Sequence, residues 1–273
     1  MIGDNGIIQY VNSIAVRLST NDNDVSTTGV DTIIVGGGDN RVLAGLSSDE
    51  VTSAFGNDVV LGDNGELSYI NNVLVNAISS EASTGGDDLL ALGEGNNIVI
   101  GGAGADMITT TDGVDIILGD NGQIVWSATG VIESVTATDL TNGAGDIIKA
   151  GDADNIIVGA TGDDIIETGI DNDTILGDGG VALYTAGVLV GLSSDAAEAG
   201  DDTITVVNGN NIIAGGAGVD TITTTDGVDI ILGDNGQLVW SATGVIESVT
   251  ATDLTNGAGD IIKAGDADNI IVG

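Results

Sequence analysis

The chain has 273 residues, 42 of them acidic against four basic (Arg17, Arg41, Lys149 and Lys263), giving a formal net charge of −38. That balance excludes nucleic acid and anionic membrane surfaces as partners, because no basic patch exists to meet phosphates. With no Cys and no His there is no disulfide, no thiolate or Ser-His-Asp chemistry and no cysteine zinc site.

Yet 42% of the residues are hydrophobic, which is not the composition of a disordered acidic tail. Carboxylates held this densely in a folded chain repel one another unless bound cations neutralise them. No apolar run approaches the ~18 residues of a membrane span, so membrane insertion is not expected. No signal peptide is visible. The 45 glycines, with abundant Asp and Asn and no Pro, predict many tight turns.

In chain order, the first residues, MIGDNG, read as the tail of a motif. It recurs as GDNG at 62–65, 119–122 and 233–236, and as GDGG at 177–180. Before each recurrence lie four nonapeptides in a common frame. Their sixth positions are Asp31, Asn40, Asp49 and Asp58; Asp88, Asn97, Asp106 and Asp115; Asp146, Asn155, Asp164 and Asp173; Asp202, Asn211, Asp220 and Asp229. Asp260 and Asn269 begin a fifth block. All 18 sixth positions are Asp or Asn, and all 18 eighth positions are aliphatic, so the frame is not accidental. Gly holds the fourth position in 12 of 18; Ser47, Ala144, Ala153, Asp171, Ala258 and Ala267 depart, and there the turn must differ or be strained. A longer identity overlies this one. Residues Asp112–Gly159 return as Asp226–Gly273 with the single change of Ile124 to Leu238.

GGAGADMIT (101–109) and GGAGVDTIT (215–223) fit G-G-x-G-x-D-x-U-x. On these residues and their phase the chain resembles the RTX, or haemolysin-type calcium-binding, repeat family of secreted bacterial proteins. The resemblance implies two nonapeptides per coil in an all-β, parallel β-roll or β-solenoid. Six residues would form a turn, three a short strand, and the aliphatic eighth side chain would point inward. One continuous solenoid over 1–273 is expected, with units 1–25, 26–82, 83–140, 141–196, 197–254 and 255–273. Residues 18 apart would then stack about 4.8 Å from rung to rung.

The resemblance also implies several calcium ions, held by carboxylates and turn carbonyls of successive rungs. One column of turns would use pairs of aspartates: Asp31, Asp49, Asp88, Asp106, Asp146, Asp164, Asp202 and Asp220. The other would combine Asp58, Asp115, Asp173 and Asp229 with asparagines such as Asn97 and Asn211, and bind more weakly. The alternative for both columns is a hydrogen-bonded Asn/Asp turn ladder with no metal. Asp120 and Asp234 of GDNG either close the last site of each block or belong to a turn that launches the next segment.

That next segment, 20 to 23 residues after each block, breaks the frame. Tyr10, Tyr69, Trp126, Tyr184 and Trp240 each fall seven residues after the first Gly of the motif. Alternating apolar residues around INN, TAG and SATG read as a β-hairpin, an irregular third coil being the competitor. The aromatics are expected to pack rather than to bind a ligand.

Both ends of the chain cut a repeat, as in a segment of a longer array. The expected role is non-catalytic: a calcium-rigidified stalk, spacer or surface segment of a large secreted or cell-surface bacterial protein, such as an adhesin. The resemblance implies type I secretion and folding outside the cell. Alternatives are a filament subunit associating head to tail, or the accessory domain of a secreted hydrolase. A glycan or surface ligand would be met through the parent protein.

Overall fold

A computed structural model describes residues 1–20, 29–80, 83–194, 200–252 and 257–273. The unit boundaries expected at 25, 82, 196 and 254 fall in or against the intervening segments, outside the described residues. Every regular element described is a strand, and among the described residues no helix is long and apolar enough to cross a membrane.

The strands form three sheets: two parallel sheets of nine strands and one antiparallel sheet of ten. Within a block, strands 18 residues apart pair in register, as Met107 does with Leu89 and Ile116 with Ile98. Across each insert the same pairing resumes, Met107 with Ile147 and Ile116 with Ile156. The chain therefore winds as a β-solenoid, alternately contributing a strand to each parallel sheet.

The eighth positions, the exposed terminal Ile271 aside, point between the two parallel sheets. Val99, Ile108, Ile117, Ile148 and Ile157 are fully buried there in one continuous apolar stack. A single nonapeptide cannot bury such a residue alone; stacking removes it from water at roughly 25 cal/mol per Å² of apolar surface.

The two parallel sheets differ in what covers their other face. In one, the middle sheet, strands such as Val59–Leu61 and Ile98–Gly102 are apolar throughout, and Ile116–Asp120 is so up to its last residue. Leu61, Ile100 and Leu118 point away from the solenoid core and are buried under the antiparallel sheet. In the other, the outer sheet, strands such as Glu50–Thr52, Met107–Thr109 and Ile147–Lys149 expose their alternate residues. A sheet buried on both faces reads as an unbroken apolar run, and one buried on a single face alternates.

The inserts are hairpins, not a third coil. Gly65–Ile70 pairs with Val73–Ser79, and Gly122–Trp126 with Ile132–Ala137. Asn71 and Asn72 turn the first with φ of 49° and 67°, the double positive φ of a tight two-residue turn. Successive hairpins also pair with each other, for example at Ile124 with Ala77 and Val135 with Ala182, so five hairpins make one sheet. Tyr69 and Trp240 are buried beneath it, and Trp126 and Tyr184 pack against the same cluster.

Departures from Gly at the fourth position resolve two ways. Ser47, Ala153 and Asp171 keep the left-handed backbone of the glycines, with φ of 81°, 115° and 91°. Ala144 and Ala258 avoid positive φ, and their N–H groups bond instead to Asp120 at 3.2 Å and Asp234 at 3.1 Å. An alanine at φ 115° is strained by about 1 kcal/mol or more. Ala153→Gly is therefore expected to raise Tm by about 2–4 °C in calcium-saturated thermal melts.

Candidate metal centre

Parallel winding places the turns in two columns, one along each flank. The turns entering the outer sheet carry only aspartate at the sixth position: Asp31, Asp49, Asp88, Asp106, Asp146, Asp164, Asp202, Asp220 and Asp260. The turns entering the middle sheet alternate Asn and Asp. All the candidate residues read from the sequence thus fall into these two stacks or the GDNG segments beside them.

In the all-aspartate column each Oδ1 accepts the backbone N–H of the preceding rung's aspartate. Asp88 N bonds Asp106 at 2.7 Å, Asp106 N bonds Asp146 at 2.7 Å, and Asp146 N bonds Asp164 at 2.7 Å. The other carboxylate oxygen has no partner. Oδ2 of Asp49, Asp88, Asp106, Asp146, Asp164, Asp202 and Asp220 is buried and makes no hydrogen bond. A buried carboxylate oxygen left bare costs free energy unless something positive meets it.

What surrounds these oxygens is specific. The residue opening each such turn is almost always glycine. A Cβ on Gly101 would lie 2.3 Å from Asp106 Oδ2 and 2.0 Å from the carbonyl oxygen of Gly119, one rung on. On Gly119 it would meet Asp146 Oδ2 at 2.0 Å and Gly159 O at 2.6 Å; on Gly159, Asp164 Oδ2 at 2.2 Å and Gly177 O at 2.3 Å. At these rungs a carboxylate oxygen and a backbone carbonyl converge on the spot a Cβ would take; at the rung of Asp49 that place is held by Ala44. Among the described residues no three acidic groups surround one point. A cation here would take its remaining ligands from backbone carbonyls and from the next rung.

The GDNG aspartates join this column. Asp120 accepts from Ala144 N at 3.2 Å and Thr161 N at 2.7 Å, spanning two successive turns. Asp178 does the same with Gly200 and Ala217, and Asp63 accepts from Ala103 N at 2.7 Å through Oδ2 while its Oδ1 is left bare. Asn121–Gly122 is not a positive-φ turn, because Gly122 already lies in the strand Gly122–Trp126. Asn121 and Asn235, each 1% exposed, leave both side-chain amide atoms without partners. Asp63 and Asp178 were not singled out in the sequence, although the repeated motif marks them as equivalents of Asp120.

The electrostatics follow from burial. Desolvation, then the charges of Asp106 and Asp63, push Asp88 up to about 10. Burial with Asp120 and Asp106 raises Asp146 to about 11, and burial with Asp202 raises Asp164 to about 10. Burial alone dominates at Asp106, raised to about 7. Asp63, Asp120 and Asp178 rise to about 9, 8 and 9 for the same first cause. Few cations of the chain itself offset this. Arg17 pairs with Glu66 at 2.6 Å and Lys149 with Glu167 at 2.7 Å, while Arg41 stacks on Tyr69 at 5.2 Å. The first two pairs are half exposed and the third lies under the hairpins; none enters the carboxylate column.

Such a donor set, hard oxygen only and spread along a stack, suits calcium, which takes six to eight oxygens in flexible geometry. Mg²⁺ suits it less, because it demands strict octahedral geometry. Fold and site together define a cation-binding parallel β-solenoid. The model of the RTX calcium-binding nonapeptide repeat matches this chain in four copies, at residues 25–65, 83–117, 141–181 and 205–237, more than half its length. The chain belongs to that family, whose repeats bind calcium ions. No curated protein and no solved structure matches the chain.

Proposed function

We propose that the chain is a non-catalytic spacer segment of a large secreted bacterial protein, rigidified by calcium outside the cell. The observation that carries this reading is the column of buried, unpartnered carboxylate oxygens running through seven of the nine rungs. Near-identical units repeat one site many times, whereas catalysis needs one exceptional constellation. At low cytosolic calcium the carboxylates repel and the chain travels unfolded. At millimolar calcium outside, ligation supplies folding energy. Asp31, Asp49, Asp88, Asp106, Asp146, Asp164, Asp202, Asp220 and Asp260 would hold the ions, with Asp63, Asp120, Asp178 and Asp234 at the block boundaries. Calcium there supplies counter-charge between rungs. The glycines of the turns leave room for it, and the apolar stack beside them holds the rungs in register.

Small-angle X-ray scattering across a calcium titration tests this. The radius of gyration is expected to fall from about 58 Å, that of an unfolded chain of this length, toward about 19 Å for a compact one. A radius that stays at either value throughout would overturn the calcium-driven folding. Growth in mass on adding calcium would instead favour the filament reading, since open solenoid ends can stack.

A further inference from the structure

We infer that calcium loads one flank of the solenoid only, and that on the other flank side-chain amides and hydroxyls stand where the ions would be. This rests on the calcium-binding reading above and deepens it, because the sequence pattern left both columns open to metal.

Three observations on the mixed column carry it. First, the asparagine amides occupy the turns from within. Nδ2 of Asn97 donates to the carbonyls of Gly93 at 3.2 Å and Gly95 at 3.0 Å. Asn155 does so to Gly151 at 3.1 Å and Ala153 at 2.9 Å. An amide NH₂ carries partial positive charge and two donors. Seated against those carbonyls, it both satisfies them and bars a cation from the same place.

Second, two of the four intervening aspartates have hydroxyl partners that the all-aspartate column lacks. Thr224 donates to Asp229 Oδ2 at 2.6 Å, and Ser53 donates to Asp58 Oδ2. Thr110 and Thr168 stand at the same place, five residues before Asp115 and Asp173, where neither the hydroxyl nor Oδ2 makes a hydrogen bond.

Third, the space differs. Turns of the all-aspartate column open on glycine, where a Cβ would strike the carboxylate. Turns of the mixed column open on residues that carry side chains, such as Val35, Leu92 and Val206 before the asparagines and Thr110 and Thr168 before the aspartates. On the mixed flank no glycine stands there: Leu92 and Val206 join the inner apolar stack, and Ser53 and Thr224 turn a hydroxyl to the carboxylate.

The test is calcium stoichiometry of the full chain, by equilibrium dialysis with atomic emission. Roughly one ion per coil is expected, about half of what two loaded columns would take up. Two ions per coil would overturn the inference while leaving calcium binding intact. No uptake at all would bring down the calcium reading itself, and this inference with it. Asp115→Asn, in the mixed column, is expected to leave both the stoichiometry and the calcium midpoint for folding within twofold of the parent. Loss of an ion in that variant would count against the assignment. Asp106→Asn is expected to lower the stoichiometry or raise the calcium midpoint at least tenfold, and an unchanged titration there would also refute it.

Discussion

In EDTA the chain is expected to be more stable at pH 4 than at pH 8, and in saturating calcium the order is expected to reverse. The sign follows from the carboxyl groups of the all-aspartate column, whose values are raised in the folded chain. A raised carboxyl contributes stability that is complete below its unfolded value and is lost as pH climbs through its folded value. For Asp106, Asp49 and Asp220, raised by burial from 3.8 to about 7, the loss is complete by pH 8. Asp202 and Asp120, at about 8, are half titrated there and have lost nearly all of it. One such carboxyl, moved from 3.8 to about 7, corresponds to roughly 4 kcal/mol across the window. That alone is a Tm difference on the order of 10 °C for a chain of this size. Repulsion within a chain of net charge −38 acts in the same direction. Calcium needs deprotonated ligands, so its affinity rises with pH and its binding releases protons. Thermal melts by circular dichroism at the two pH values, with and without calcium, read all four corners. An EDTA melt that rises in temperature from pH 4 to pH 8 would sink the account of the buried column.

The second large effect is expected from Gly101→Ala. Gly101 has no left-handed backbone, so the substitution is not penalised through φ. The cost is contact: the new methyl would sit 2.0 Å from Gly119 O and 2.3 Å from Asp106 Oδ2. Gly119 O is backbone, and the Asp106 carboxylate is tied by Oδ1 to Asp88 N at 2.7 Å. The rungs must separate, at about 3 kcal/mol or more, and the carboxylate must leave the position from which it would meet a cation. A destabilisation of that size and a calcium midpoint raised at least tenfold are expected in a calcium-monitored unfolding titration. Gly130→Ala provides the comparison. Its φ of 81° is strained for alanine, but the nearest atom is Val73 Cγ1 at 3.3 Å, on the hairpin turn. It is expected to cost about 1 kcal/mol with no change in calcium midpoint. Equal calcium shifts in the two variants would show that the cradle plays no part.

Much of this was legible from periodicity. The eighth-position aliphatics predicted the inner stack, because a nine-residue frame with one apolar position in phase has a single direction in which to bury it. The asparagine in the second nonapeptide of every block marked the two flanks as different. The hairpins were legible from strand length and turn residues. Their union into one sheet was not, because it depends on pairing between segments more than forty residues apart, such as Val125 with Asn76. A signal existed all the same. The seventh and ninth positions are apolar in the middle sheet (Ile98 and Ile100, Ile116 and Leu118) and mixed in the outer one (Glu50 and Thr52, Ile147 and Lys149). Read together, they say that one sheet is covered and the other is not. The hydroxyls opening the fourth nonapeptide of each block, Ser53, Thr110, Thr168 and Thr224, were likewise visible. Without the turn geometry their alignment with the aspartates five residues later had no meaning.

The stacking of all three sheets along one axis has a mechanical consequence. Tension applied to the ends of such a rod pulls adjacent strands directly apart, along their hydrogen bonds rather than across them. The rungs are loaded in series, so one gap must bear the whole force, and adding rungs adds length but no strength. A gap between hairpins holds as few as three paired residues, Arg17 with Ser68, Leu18 with Leu67 and Ser19 with Glu66. An ion bridging carboxylate and carbonyl across each gap would then set the breaking load of the array. A tether built this way would be strong or weak according to the calcium around it.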